Sequence, residues 1–329
     1  MVIDAHTHVL SEAMIAQIAR EVPSLAPKLT KMSDDHGVLE ILDVRQNPFP
    51  RGAWDLERRF ADMARQGSDM HVICNVPHTF LYEADAGAAA TVAEIQNEAI
   101  AALVAAHPDR FIGMATAAMQ DPVSAAATLE RAVTVHGLRG VHIGSNIRGE
   151  NLDDPALDAV WDVMDRHALY VLVHPHKVVA AGRMKSYYLT NLIGNPLETT
   201  IAAASLVFGG VIERFPNIRF CLSHGGGFVP YQAGRFRHGW AVRPEPKSRL
   251  KGDPADSIDR LLHDSITHDA ATLGFLLSQV GAARITYGTD YPFDMGTETG
   301  VAEVMAATAD PATRAAVLEG NARRLFQAG

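Results

Sequence analysis

The sequence predicts an α/β fold, a (β/α)8 TIM barrel, from three observations. Eight short apolar runs recur along the 329 residues, and each is followed by a stretch with helical spacing. The runs are nearly continuous in apolar residues instead of alternating with polar ones, as in strands that are covered on both faces. No G-x-G-x-x-G follows any of the runs, so the doubly wound alternative has no support.

The eight predicted strands alternate with helical patterns. The strands are predicted at residues 1–6, 70–76, 111–116, 139–144, 169–174, 218–224, 261–267 and 284–290. The segment 56–67 has apolar residues at helical spacing and ends at Gly67, and the Ala-rich run from Asp85 to Ala106 closes before Pro108. Later helices are predicted in PVSAAATLERAV, PALDAVWDVMDRH, ETTIAAASLVFGGVIERF and DPATRAAVLEGNARRLF.

We expect one domain over residues 1–329, because α/β barrels of this size commonly form a single unit. Two long connections, at about residues 9–55 and 177–195, are predicted as insertions. Each follows a strand, so in a barrel both lie on the face that carries the active site.

Composition excludes several classes of protein. Hydrophobic residues make up 47% and charged residues 20%, as in ordinary globular proteins, and the net charge of −9 argues against a nucleic-acid binder. Cys74 and Cys221 lie in apolar runs and are predicted to be reduced core residues. No basic-then-apolar leader and no apolar run of about 18 residues is present, so we expect a cytoplasmic enzyme without membrane partners.

Polar residues collect at the ends of the predicted strands. His6 and His8 end the first strand, His174 ends the fifth in VLVHPH, and Asp290 ends the eighth in YGTDYPF. Residues i and i+2 of a strand point to one side, and a barrel brings its strand ends to one rim. Three His and one Asp suit a divalent ion such as zinc. His224, in LSHGGG, is a candidate general acid/base, with a fifth ligand or a core histidine as alternatives.

Other polar residues have less specific interpretations. Asp4 shares the parity of His6 and His8, and two roles stay open for it: a partner that holds an imidazole, or a strand-start residue. His71 and His142 lie in the middle of strands and are predicted to be interior polar groups. Weaker pocket candidates near strand ends are His78, His263, Asp264 and His268.

The stretches IDAHTH, VLVHPH, LSHGGGFVPYQAGRFRHGW and YGTDYPF resemble the amidohydrolase superfamily, from residue 3 to about 325. More narrowly, they resemble its aminocarboxymuconate-semialdehyde decarboxylase branch. The resemblance implies one zinc ion, with manganese as the alternative, bound by His6, His8, His174 and Asp290, with His224 acting beside it and no organic cofactor. Strand four ends in VHIGSN without the lysine that bridges two metals in many members, which favours a mononuclear site.

The resemblance also implies a homodimer. Arg235 and Arg243 correspond to two family arginines that reach into the partner subunit's active site and grip a substrate carboxylate, which the planar guanidinium matches. A further family arginine lies in the loop after strand one, where Arg45 and Arg51 are both candidates. His176 stands where the branch has an aromatic residue.

The expected reaction is non-oxidative decarboxylation of an unsaturated or aromatic mono- or dicarboxylic acid, a small molecule. His224 and Asp290 are the predicted catalytic residues. Pocket lining is predicted for Trp54, Met184, Tyr187 and Phe293, with plain packing as the alternative. The rival functions are metal-dependent hydrolysis of a lactone or amide, hydration of a double bond, and a non-catalytic metal-bearing scaffold.

Overall fold

The computed structural model describes residues 1–327, in which eight parallel strands form the barrel wall in the order β1, β5, β6, β7, β10, β11, β12, β13. The strands in chain order are β1 (Ile3–Val9), β2 (Lys28–Lys31), β3 (His36–Ile41), β4 (Val44–Pro50), β5 (Met70–Asn75), β6 (Phe111–Ala115), β7 (Gly140–Gly144), β8 (Asn146–Ile147), β9 (Glu150–Asn151), β10 (Tyr170–His174), β11 (Arg219–Leu222), β12 (Leu262–Asp264) and β13 (Ile285–Thr286). All eight predicted strands are present, and the predicted (β/α)8 barrel is confirmed.

Helices connect the barrel strands and cover the outside of the wall. They are α1 (Glu12–Glu21), α2 (Leu56–Gln66), α3 (Ala86–Ala106), α4 (Pro122–Thr134), α5 (Asp158–Arg166), α6 (Asn195–Phe208), α7 (Val211–Arg214), α8 (Val229–Val242), α9 (Pro254–Ile258), α10 (Ala270–Val280), α11 (Gly300–Ala307), α12 (Pro311–Ala315) and α13 (Asn321–Gln327). Asp or Ser side chains cap the starts of several of these helices, as Asp55 does for α2 and Asp121 for α4. Within residues 1–327, none of the helices combines the length and the apolar character that crossing a membrane requires.

Four predicted strand ends differ from the structure by two residues or more. β1 continues to Val9, so His6 and His8 lie within the strand and not at its last residue. The predicted strands 218–224, 261–267 and 284–290 end early, at Leu222, Asp264 and Thr286. The apolar runs that predicted these strands extend past them, because the residues that follow are still buried although the backbone has left the sheet.

The segment between β1 and α2 is folded, although the sequence suggested only an inserted connection. It contains α1 and a three-stranded antiparallel sheet of β2, β3 and β4. The second long connection, after β10, contains a 3-10 turn at Ala181–Arg183 and a π-helical turn at Thr190–Gly194 that leads into α6. Both segments contribute residues to the rim of the barrel.

The barrel closes between β1 and the chain that follows β13. The Ala5 N–H donates to the Tyr287 carbonyl at 2.8 Å, and the Asp290 N–H donates to the His6 carbonyl at 2.9 Å. The His8 N–H then donates to the Tyr291 carbonyl at 2.7 Å. We call this set of bonds the closing seam.

Asp4 braces the closing seam from inside. Its buried carboxyl accepts hydrogen bonds from the Thr289 hydroxyl at 2.5 Å and from the Thr289 N–H at 3.1 Å. It also accepts from the His6 N–H at 3.1 Å, so it contacts the backbone of His6 and not its ring. Burial raises the pKa of Asp4 to about 7 despite these bonds.

Replacing Thr289, which is 1% exposed, by the isosteric Val should weaken the closing seam. The variant loses the hydroxyl donor to the Asp4 carboxyl, so we expect the free energy of unfolding to fall by about 1.5–3 kcal/mol. Denaturant unfolding measures this change. The matched control is Thr91→Val, where an exposed hydroxyl bonds only its own helix and the expected change is within about 0.5 kcal/mol. Equal effects in the two variants would contradict the role of Asp4.

Candidate active site

Four buried side chains from three places in the chain converge at the rim of the barrel. The Asp290 Oδ1 atom lies 3.0 Å from His8 Nε2, 3.3 Å from His6 Nε2 and 3.8 Å from His174 Nε2. The Nε2 atoms of His6 and His8 are 3.1 Å apart. The structure thus brings together all four residues that the sequence predicted as metal ligands. We call the side chains of His6, His8, His174 and Asp290 the ligand cluster.

The far side of each imidazole is held by an acceptor. His6 Nδ1 lies 2.8 Å from the Asp264 carboxylate, and His8 Nδ1 lies 3.0 Å from the Asn75 carbonyl. His174 Nδ1 lies 3.1 Å from the carbonyl of the next residue. Acceptors in these positions fix the ring orientation and favour the tautomer whose Nε2 lone pair faces the common centre.

The protonation states of His8, His174 and Asp290 suit metal binding, whereas the pKa of His6 is raised, because its hydrogen bond to Asp264 and the nearby carboxylates outweigh its burial. Burial lowers the pKa of His174 to about 3 and also lowers the pKa of His8, so both rings are neutral. The pKa of Asp290 lies well below its usual range, because the neighbouring imidazoles of His174, His224, His6 and His8 outweigh the effect of its burial. Neutral imidazoles and an ionised carboxylate are the forms that bind a divalent ion.

The donor set fits a divalent metal ion. One atom from each of His6, His174, His224 and Asp290 lies within 4.8 Å of the others. The buried Nε2 atom of His174 has no hydrogen-bond partner within residues 1–327, although buried polar atoms normally have one. A metal ion at this point would satisfy that atom. His224 belongs to this group as well. Its position is therefore compatible with two of its predicted roles, a general acid/base and a fifth ligand.

His224 is held in a strained backbone conformation just after β11. Its φ is 55°, and its N–H donates to Asp264 at 2.8 Å while the Gly225 N–H donates to the same carboxylate at 2.7 Å. His224 Nε2 lies 3.4 Å from Asp290 Oδ2, and Asp290 also has a positive φ, of 60°. Non-glycine residues in this region cost energy and cluster at functional sites.

The glycines after His224 are required by close packing. At Gly226, where φ is 85°, a Cβ atom would lie 2.1 Å from the ring of His263. His263 itself is buried below the rim and takes no place in the ligand cluster. Asp264, only a weak candidate in the sequence, instead holds both His6 and His224.

Two cavities meet at the cluster. The first, about 280 Å³, is the polar wing, and its lining includes His78, Glu83, His176, Lys177 and Phe293. The second, about 460 Å³, is the apolar wing, and its lining includes Leu192, Tyr231, Ile266, Phe275 and Leu276. Both are lined by Asn191, Asn195, His224, Asp290 and Met295. A substrate in either wing therefore reaches His224 and Asp290.

The two arginine candidates after β1 do not line either wing. On β4, Val44 and Gln46 face the polar wing, and strand alternation turns Arg45 between them to the other side, 3.8 Å from Glu40. Arg51 is paired with Asp55 at 2.7 Å. Within one chain neither guanidinium reaches the ligand cluster, and the assignment of a substrate contact to either stays a prediction.

Arg235 and Arg243 lie on the surface, outside both wings. Arg235 is exposed on α8, and Arg243 caps the end of that helix and pairs with Glu245. Neither lines the cavities of its own chain.

Of the four predicted pocket-lining residues, Phe293 lines the polar wing, and its ring centre lies 5.1 Å from that of His8. Trp54 is buried and stacks on Phe49, and Met184 is also buried away from both wings. Tyr187 is 86% exposed, and its neighbour Tyr188 lines the polar wing in its place. Which of two adjacent tyrosines faces the cavity depends on the local turn of the loop, for which the sequence carries no signal.

Known proteins of one family resemble this chain. The amidohydrolase family model matches residues 3–328. A 2-amino-3-carboxymuconate-6-semialdehyde decarboxylase of Dictyostelium discoideum is 38% identical over 244 residues, which cover 74% of this chain and 68% of that protein. The crystal structure of 5-carboxyvanillate decarboxylase from Sphingomonas paucimobilis is 25% identical, has a TM-score of 0.85 and is matched over 99% of this chain and 98% of its own.

A dihydroxybenzoic acid decarboxylase from Polaromonas sp., solved with bound manganese and 2-nitroresorcinol, shares the fold. Its TM-score is 0.81 at 22% identity, with 99% of this chain and 96% of that chain covered. The relatives named here are all decarboxylases, so the predicted reaction class, a carboxy-lyase, is confirmed and the hydrolase alternative is not favoured. The match along the whole barrel, with these relatives, shows that the chain belongs to the amidohydrolase family.

Proposed function

We propose that the protein is a metal-dependent non-oxidative decarboxylase of an unsaturated or aromatic carboxylic acid. The observation that carries the proposal is the convergence of four ligand atoms and His224 at the junction of two cavities. The decarboxylase relatives supply the reaction class. The small-molecule acid, the identity of the ion and the roles of single residues are parts of the proposal.

Zinc is the ion that we propose first, held by His6, His8, His174 and Asp290. Three imidazoles and one carboxylate suit zinc, and manganese is the alternative because a protein of the same fold binds it. When bound, the ion polarises a substrate oxygen and offsets the negative charge that develops as CO2 leaves.

The protein's own groups hold the substrate and move the proton. As the carbon–carbon bond breaks, its electron pair stays on the substrate carbon, and His224 delivers a proton to that carbon. Asp290 Oδ2, 3.4 Å from His224 Nε2, orients the imidazole, and Asp264 anchors its backbone. Phe293 and the side chains of the apolar wing bound the cavity and limit the access of water.

We further propose a homodimer in which Arg235 and Arg243 serve the partner's active site. Both are exposed, and neither lines a cavity of its own chain. Tyr231 on α8 is 78% exposed and Phe275 on α10 is 43% exposed, although both line the apolar wing. A second copy that covers this rim would bury these apolar side chains and bring guanidinium groups to the substrate carboxylate.

The reaction is tested with metal-loaded protein and a panel of muconate-like and hydroxybenzoate-like acids. We expect one molecule of CO2 for each molecule of acid consumed, measured by coupled assay and product analysis. Chelation should abolish turnover and added zinc or manganese should restore it, because the ligand cluster then regains its ion. A lactone or amide turned over without CO2, or full activity after complete metal removal, would contradict the proposal.

His224→Ala should abolish turnover and keep the metal. We expect kcat to fall by about 10²–10⁴-fold, the usual contribution of a positioned acid/base group. Elemental analysis should still find about one ion for each chain, because four other ligands remain. The control is His36→Ala, a histidine on β3 outside both wings and outside the ligand cluster, which should stay close to wild type. Loss of metal from the His224 variant would make His224 a ligand.

Sharing of arginines between subunits is tested by mixing two inactive variants, His224→Ala and Arg235→Ala. In a mixed dimer, one site combines an intact His224 with an intact arginine from its partner. After exchange of subunits we expect about one quarter of wild-type activity, because half of the dimers are mixed and each has one complete site. Light scattering should give a dimer mass. No recovery in demonstrably mixed dimers would place Arg235 outside the partner's site.

A further inference from the structure

The polar wing contains a histidine–carboxylate pair that the proposed chemistry does not use. His176 lies two residues beyond the ligand His174, and its side chain is 11% exposed. Its Nε2 atom lies 3.4 Å from Glu83 Oε1, and both residues line the polar wing together with His224 and Asp290. The pair therefore faces the space in which a substrate bound at the ligand cluster would extend.

The position of the His176 ring is fixed by its surroundings. It packs nearly perpendicular to the rings of Phe80 and Tyr82, at centroid distances of 5.6 and 5.2 Å. Its backbone N–H donates to the Ser145 hydroxyl at 3.0 Å, and its carbonyl accepts from the Asn146 amide. A polar ring that is fixed by aromatic packing and by hydrogen bonds to its backbone is suited to recognise one group in one place.

The hydrogen bonding of this pair is incomplete. The buried Nε2 atom of His176 has no hydrogen-bond partner within residues 1–327, since its approach to Glu83 is long. The buried Nδ1 atom of His78, in the same wing, also has no partner within the described part of the chain. Buried polar atoms without partners are uncommon, and within residues 1–327 the polar wing is lined by four histidines that carry one: His174 and His224 at the ligand cluster, and His78 and His176 away from it.

The charges of the polar wing restrict which substrate group can serve as the missing hydrogen-bond partner of His176. Apart from Asp290, the wing is lined by three carboxylates, those of Asp43, Glu83 and Asp294, and by the ammonium group of Lys177. That ammonium group is already paired with Asp43, at 3.1 Å. A second substrate carboxylate would therefore meet an excess of negative charge, whereas a neutral hydroxyl would not.

We propose that His176 and Glu83 form a specificity site for a neutral hydroxyl group of the substrate. The substrate hydroxyl donates a hydrogen bond to the Glu83 carboxylate and accepts one from the N–H of the His176 ring. The donor and the acceptor function of the hydroxyl group are then both used. The preferred substrates are then hydroxylated aromatic acids in which the hydroxyl group is remote from the carboxylate that is lost, and dicarboxylic acids are disfavoured. This inference rests on the proposed decarboxylase function.

The test compares three hydroxybenzoates that differ only at one ring position remote from the carboxylate that is lost. This position carries hydrogen, a hydroxyl group or a carboxylate, and the positional isomers of each acid are included. For the metal-loaded wild type, kcat/KM should be highest for the hydroxyl acid. His176→Phe keeps an aromatic ring against Phe80 and Tyr82, and it should lower kcat/KM for the hydroxyl acid by about tenfold or more. It should leave the hydrogen acid within about twofold, because that acid makes no bond to the imidazole.

Glu83→Gln should reduce the penalty against the dicarboxylic acid, because it removes one negative charge from the wing. The matched control is Glu150→Gln, an exposed carboxylate on β9 outside both wings, which should change none of the three values. A wild-type preference for the dicarboxylic acid, or an equal loss for all three acids in His176→Phe, would overturn the inference.

Failure of the inference can be told apart from failure of the proposed function. If no acid in the panel releases CO2, the proposed function is wrong. In that case, calorimetry measures the Kd of the same three acids for the metal-loaded protein. The ratio of Kd values between the hydroxyl acid and the other two acids, in the wild type and in His176→Phe, then tests the inference. A hydroxyl preference in binding that His176→Phe removes supports the specificity site, and its absence from the wild type refutes it.

Discussion

The active site depends on the closing seam between β1 and the chain after β13. Two of the proposed ligands, His6 and His8, lie on one side of this seam and Asp290 lies on the other. The hydrogen bond from the Asp290 N–H to the His6 carbonyl, 2.9 Å long, sets their relative register. Because the side chains of a strand alternate, a slip of one residue would turn a ligand away from the centre. The bonds that close the barrel therefore also bring the proposed ligands together.

The seam is supported from outside by charges that are buried with it. Arg59 on α2 is fully buried, donates to the His8 carbonyl and lies over the ring of Tyr291 at 4.8 Å. The Tyr291 hydroxyl donates to Asp62, at 2.9 Å, and a Cβ atom at Gly52 would lie 1.7 Å from that hydroxyl. The segment between β1 and α2 thus ends on the closing seam, where a side chain at Gly52 would clash with Tyr291. This packing means that the segment between β1 and α2 both supports the closing seam and lines the polar wing.

The barrel, and the convergence of four polar side chains at its rim, could be predicted because both follow from burial. Barrel strands covered on both faces must be apolar, so polar residues at their ends, such as His174 and Asp290, stand out in the sequence. The sheet of β2–β4 gave no such signal, since β2 is mostly exposed and its pattern is polar. The double role of Asp264 and the outward direction of Arg45 depend on contacts between distant segments and on strand parity. Neither is contained in local sequence spacing.

The two wings have different functions in the proposed reaction. Decarboxylation turns a charged carboxylate into neutral CO2, so surroundings that solvate an anion poorly favour the product over the bound acid. The apolar wing provides such surroundings beside His224, while the polar wing binds the part of the substrate that does not react. If His176 and Glu83 fix a remote hydroxyl group, the carboxylate is placed at the junction, where the ligand cluster and His224 meet. Binding energy gained in one wing is then used to orient the bond that breaks at the other.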